Sequence, residues 1–72
     1  MKLYTKTVCP KCMFIKNEIE RLKLDVELIN MDKVPEAREL VLSKGIMAAP
    51  VLELKGEFYA DNKQILAVLM DQ

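Results

Sequence analysis

An α/β fold is predicted by this chain: a four-stranded mixed sheet in strand order 2-1-3-4, with three helices shared between its two faces. Three observations carry that expectation. The apolar period switches between two and about 3.6 along the chain, in the order strand, helix, strand, helix, strand, strand, helix. The opening strand–helix–strand is a βαβ unit, whose right-handed crossover makes its strands parallel. The last two strands meet at Lys55-Gly56, a turn signal that makes them an antiparallel hairpin.

Taken in order, Lys2-Leu3-Tyr4-Thr5 has the aromatic and β-branched character of a first strand. Cys12, Ile15, Ile19 and Leu22 then recur at spacings of three, four and three, the stripe of a helix running from about Pro10 to Lys23. Proline is tolerated in its first turn because that N–H has no partner there. Leu24 to Asn30 alternates apolar and polar and reads as the second strand. Pro35-Glu36 opens a second helix with an acidic residue in its first turn; Ala37, Leu40 and Val41 form its narrow apolar face, and Lys44-Gly45 closes it. Val51–Leu54 and Glu57–Ala60 are the hairpin strands. Asp61 caps the last helix, with Gln64 in the capping-box position and Ile65, Leu66 and Leu69 facing the core.

The chain has 72 residues, of which 51% are hydrophobic and 31% charged, a globular composition that gives one domain, residues 1–72, and a small core. Eleven basic residues balance eleven acidic ones, so neither a nucleic acid nor a membrane surface is an expected partner. The N-terminus lacks the pattern of a secretory signal and no apolar run is long enough to span a bilayer, so a cytoplasmic location is expected; the chain is expected to act as a monomer. Lys2, Lys6, Lys11 and Lys16 are expected to crowd around the cysteines and give them a positive field.

Cys9 and Cys12 are the only cysteines, and there is no histidine. A disulfide between them closes a very short loop and is a poor staple, so the pair reads as redox-active or metal-binding rather than structural. The absence of histidine removes Cys–His nucleophilic catalysis and mixed Cys–His zinc sites. Cys12 lies on the apolar stripe while Cys9 stands at the helix entrance, so the thiols are unequal. A helix N-terminus is worth up to about 2 kcal/mol to an anion, which brings a thiol from about 8.5 to near 7. Cys9 is therefore the expected nucleophile and Cys12 the resolving thiol. The alternatives are a metal or iron–sulfur module whose remaining ligands come from elsewhere, two plain core cysteines, or a binding module without turnover.

With Cys-Pro-Lys-Cys and the βαβ–ββα order in place, the chain resembles the glutaredoxins of the thioredoxin fold from Lys2 to about Met70. Leu3-Tyr4-Thr5-Lys6 is similar to their first strand, and Ala49-Pro50-Val51 falls where that family has its cis-proline. The resemblance implies a substrate surface drawn from Lys6, Pro10, Lys11, Ala49, Pro50 and Asp61 around the catalytic Cys9 and Cys12, with no bound cofactor. Ile29 to Ala37 is more similar still to the glutaredoxin-like redoxins that serve ribonucleotide reductase. That similarity implies reduction of protein disulfides, with NADPH and thioredoxin reductase as the electron source; the alternative is a glutathione-dependent glutaredoxin. Ala60-Asp61 and Lys63-Gln64 stand where glutathione-using members carry a Gly-Gly pair and two acids. Phe58 to Lys63 stands where the reductase-donor redoxins carry a Trp-Ser-Gly-Phe-Arg-Pro-like segment.

Overall fold

The computed structural model describes residues 1–72. Strand β1 (Lys2–Thr5) leads through an exposed loop into helix α1 (Pro10–Leu22), followed by β2 (Glu27–Asn30) and α2 (Pro35–Ser43). Strands β3 (Val51–Leu54) and β4 (Glu57–Tyr59) and helix α3 (Asn62–Met70) complete the chain. The sheet order is β2-β1-β3-β4, as the sequence predicts, with β1 parallel to β2 and antiparallel to β3, and β3 antiparallel to β4.

The alternation of side chains along β1 and β3 divides the core into two layers. Leu3 and its cross-strand partner Leu52 face α1 and α3, where Ile15, Ile19, Ile65 and Leu69 cover them. Tyr4 and its partner Val51 face the other way, towards Ala37 and Val41 of α2 and towards Met31. Burial of one such aliphatic side chain is worth about 1.5–3 kcal/mol, so β1, covered on both faces, is the strand on which both layers depend. Phe58 stacks on Tyr4 with ring centroids 6.2 Å apart, and the Lys44 ammonium lies 5.4 Å from the Phe58 centroid. The Tyr4 hydroxyl donates to Glu53 at 2.7 Å. Burial, then that carboxylate, push the phenol from 10.0 up to about 12.

The helix ends follow from local chemistry. At α1 the Lys23 and Leu24 amides turn back to the carbonyls of Glu20 and Ile19, with Lys23 left-handed at φ 55°. At α2 the Gly45 and Ile46 amides do the same to Leu42 and Val41, with Gly45 at φ 77°. Both closures are Schellman motifs, and the second uses the glycine such a position favours. The two central residues of the β3–β4 hairpin, Lys55 and Gly56, have φ of 53° and 83°, as a type I′ turn requires.

Several expectations are corrected. β2 begins at Glu27 rather than Leu24, because its ladder partner β1 begins at Lys2; Leu24 instead closes α1, and Leu24 and Val26 pack at the margin of the core. β4 ends at Tyr59, one residue earlier than expected. Leu40 is 39% exposed: on so short a helix only the Ala37–Val41 row, one turn apart, points squarely at the sheet. Leu66 does face the core, packing half-buried against the first layer. Asp61 caps α3 by accepting from the Lys63 amide at 3.4 Å, without a return bond from Gln64.

Replacing Lys55 by Asn, which occupies left-handed conformations more readily, is expected to stabilise the protein by about 0.5–1 kcal/mol, read as a raised urea midpoint. Tyr4 supplies a pH test. Its folded pKa lies above its unfolded one, so the stability it contributes is complete below pH 10.0 and is lost as pH rises through about 12. The urea midpoint should fall across that window in the wild type and fall less in Tyr4→Phe.

Candidate active site

The site is assembled at one end of the sheet. The C-terminal ends of β1 and β2 point to that end, and because β3 is antiparallel to β1, so does the segment entering β3. β4 returns to the same end to deliver Ala60 and Asp61. The loop holding Cys9, the turn Asn30–Asp32, the run Ile46–Pro50 and the start of α3 are thereby gathered from distant parts of the sequence.

Cys9 and Cys12 are joined as a disulfide with Cα atoms 5.2 Å apart. Cys9 is the N-cap of α1, with extended backbone, and its Sγ accepts the Cys12 amide at 3.1 Å. A helix N-cap ordinarily uses a side-chain oxygen for this bond. Here a sulfur takes the position, and on reduction the same atom becomes a thiol or thiolate facing the positive end of the helix. Pro10 fills the first helical position, where no N–H is needed. Cys12 is 1% exposed, fixed on the same stripe as Ile15 and Ile19, whereas Cys9 is half-buried. Of the two cysteines, Cys9 is the one with surface left exposed.

The other expected residues are placed as follows. Lys6 and Lys11 are exposed on either side of Cys9 in the chain, and neither is in an ion pair; the single salt bridge, Arg21–Glu18, is on the outer face of α1. Lys2 does not join them: it lies opposite Glu27 and Glu53, at the far end of β1 from the cysteines. Lys16 is half-buried on the second turn of α1. The Ala49–Pro50 peptide is cis; Pro50 is buried directly before β3, and Ala49 is half-buried. Asp61 is exposed, with one carboxylate oxygen on the α3 cap. Beside the site Lys6, Arg38, Val41, Ile46, Met47 and Ala48 line much of a cavity of about 110 Å³, and Val8 and Met47 are 88% and 89% exposed.

Three residues at the site were not anticipated. The Thr7 amide donates to Asp32 Oδ2 at 2.9 Å, the Asn30 side-chain amide donates to Thr7 Oγ1 at 3.2 Å, and the Asp32 amide donates to Asn30 Oδ1 at 2.8 Å. The Thr7 amide above all, helped by its side chain and by the charges of Lys6 and Arg38, holds the Asp32 carboxyl below its ordinary value. The Asn30–Asp32 bond is an Asx turn, and the Asn-x-Asp spacing after a strand is its signal. Its partner Thr7 is 25 residues away, where no local signal reaches. No group of three or more His, Cys, Asp or Glu side chains is placed to hold a metal ion.

The glutaredoxin family pattern matches residues 1–59, which include the whole cysteine corner and the cis-proline. The chain belongs to the glutaredoxin family. Among curated glutaredoxins and their relatives, the glutaredoxin-like protein NrdH of Escherichia coli K12 is 38% identical over 50 residues, covering 69% of this chain and 62% of that protein. The match thus spans about three-fifths of that relative's length. NrdH of Lactococcus lactis IL1403 is 34% identical over 50 residues, 69% of each chain. Among solved structures, the glutaredoxin-like NrdH-redoxin of Escherichia coli, described for its thioredoxin-like activity profile, superposes with a TM-score of 0.82 at 29% identity, covering 93% of this chain and 91% of that one. The thioredoxin-like protein BC3987 superposes with a TM-score of 0.80 at 24% identity, a likeness of fold, covering 94% of this chain and 96% of that one. In this member of the glutaredoxin family Cys9 and Cys12 are bridged at the entrance to α1.

Proposed function

We propose that this protein is a dithiol electron carrier, a thiol–disulfide oxidoreductase that reduces protein disulfides. The observation that carries the reading is the disulfide at the N-terminus of α1, between a half-buried Cys9 and a Cys12 that is 1% exposed. In the reduced protein the Cys9 thiolate attacks one sulfur of a substrate disulfide, forming a mixed disulfide and releasing the substrate's other sulfur as a thiolate. Cys12 then gives up its proton and attacks Cys9 Sγ, expelling the second substrate thiolate. The Cys9–Cys12 disulfide is left; two electrons have passed to the substrate, whose thiolates take up protons. Lys6, Pro10, Lys11, Ala49 and the buried Pro50 border the substrate face, with Asp61 at its margin. No bound cofactor takes part.

For the physiological role we favour donation to ribonucleotide reductase, with NADPH and thioredoxin reductase restoring the dithiol. Two observations support this. The similarity of Ile29 to Ala37 to the reductase-serving redoxins falls on the turn that holds the Cys9 loop. At the start of α3, Ala60-Asp61 replaces the glycine pair expected of a glutathione site, and Asp61 is engaged as the helix cap. We place the carrier in the cytoplasm as a monomer; no helix is long and apolar enough to cross a membrane. The alternative is a glutathione-dependent glutaredoxin, favoured by the cavity that Lys6 and Arg38 help to line, where two cations can pair with a peptide carboxylate.

Cys9→Ser is expected to abolish disulfide reduction, and Cys12→Ser to stall at a mixed disulfide detectable by mass spectrometry; full activity in Cys9→Ser would reverse the order of attack. Turnover should be supported by NADPH with thioredoxin reductase. Turnover supported solely by NADPH, glutathione and glutathione reductase would replace the preferred donor with the alternative.

A further inference from the structure

We propose that Asp32 and Asn30 are positioning residues for the Cys9 sulfur, acting through Thr7 on the loop that delivers Cys9 to the N-terminus of α1. The inference rests on the reading of Cys9 as the attacking thiol. Little besides hydrogen bonding holds that loop. Lys6, Thr7 and Val8 are all exposed, and Val8 at 88% has almost no packing. The two bonds at Thr7, from its amide to Asp32 and to its hydroxyl from Asn30, are the hydrogen bonds that reach these three residues.

The other side of the contact is rigid. The Met31 amide donates to the Thr5 carbonyl at 2.7 Å, Met31 itself is 4% exposed, and the amides of Lys33 and Val34 both close on the Asn30 carbonyl. The Asp32 amide is fixed on Asn30 Oδ1. A soft loop is therefore fastened to a stiff turn at Thr7, two residues before Cys9.

Cys9 needs such fastening because its sulfur must be aimed. With φ −154° and ψ 94° the N-cap directs Sγ at the Cys12 amide, 3.1 Å away. In the reduced protein that atom is the thiolate, and the amide and helix end favour its charge. A loop released from Thr7 lets the Cys9 backbone sample other conformations in which the sulfur turns from the helix end. The carboxylate's own charge acts in the opposite sense, since a negative group near a thiolate disfavours it. Hydrogen bonding and charge can thus be separated by substitution: Asp32→Asn keeps an acceptor for the Thr7 amide and removes the charge, whereas Asp32→Ala removes both.

The test is the pH profile of Cys9 alkylation by iodoacetamide in the reduced full chain, with the modified residue identified by mass spectrometry and folding checked by circular dichroism. Asp32→Ala is expected to raise the midpoint by about half a unit and slow alkylation at neutral pH by about threefold, the size of a typical helix-end effect. Asp32→Asn should keep the wild-type midpoint or fall slightly below it. Thr7→Val, which removes the acceptor of the Asn30 bond and leaves the backbone amide, should show a smaller rise and serves if Asp32→Ala does not fold. An unchanged midpoint in both Asp32→Ala and Thr7→Val, or an equal rise in Asp32→Ala and Asp32→Asn, would overturn the proposal. Activity surviving in Cys9→Ser would instead overturn the reading of Cys9 on which it rests, and alkylation reports on Asp32 independently of that result.

Discussion

The geometry of the site depends on β1 being a central strand buried on both faces. Leu3 commits one face to α1 and α3, Tyr4 commits the other to α2, and the strand is flanked by β2 and β3. A one-residue slip would exchange the two faces, so the register is pinned by both layers at once. The chain consequently leaves the sheet at a fixed point, Thr5, and only three loop residues separate that point from the Cys9 cap. The precision of the cysteine corner is inherited from the core behind it.

Much of this was legible because the strongest signals are local and periodic. The Cys12–Ile15–Ile19 stripe fixed α1 and, with it, the inequality of the cysteines; Lys55-Gly56 fixed the hairpin, and Gly45 the end of α2. The errors occur where a partner elsewhere decides. Alternation from Leu24 onward looks like strand, yet a strand extends only as far as its neighbour, and β1 offers nothing before Lys2. Lys2 is close in sequence to the cysteines but at the opposite end of an extended strand, about 3.3 Å per residue away. Leu40 has helical spacing, and a nine-residue helix resting on a sheet has room for a narrower row. The cis peptide at Pro50 was reached by family resemblance, as spacing alone leaves Pro50 evenly balanced between a site residue and an ordinary strand start.

The Thr7–Asn30–Asp32 contacts belong to the same class of long-range features, and they show how the parallel pairing serves the site. Thr5 lies opposite Asn30 in the ladder, so the residues following each strand emerge side by side. An antiparallel neighbour would instead have presented the start of its strand. The crossover through α1 therefore does two things: it places the disulfide at the helix entrance, and it returns the chain so that the turn after β2 can grip the loop before Cys9.

That arrangement also bears on why a lone surface carboxylate can matter here when exposed ion pairs usually contribute little. Asp32 does not depend on an exposed cation for its place. Its carboxylate accepts a backbone amide, a partner with no rotamers to restrain, and its own amide is bound by Asn30. The entropy that makes most surface contacts weak was already removed by the sheet and by the buried Met31. An exposed group acquires leverage on the sulfur because one side of its contact is as rigid as the core, while the other is a three-residue segment that packing leaves free.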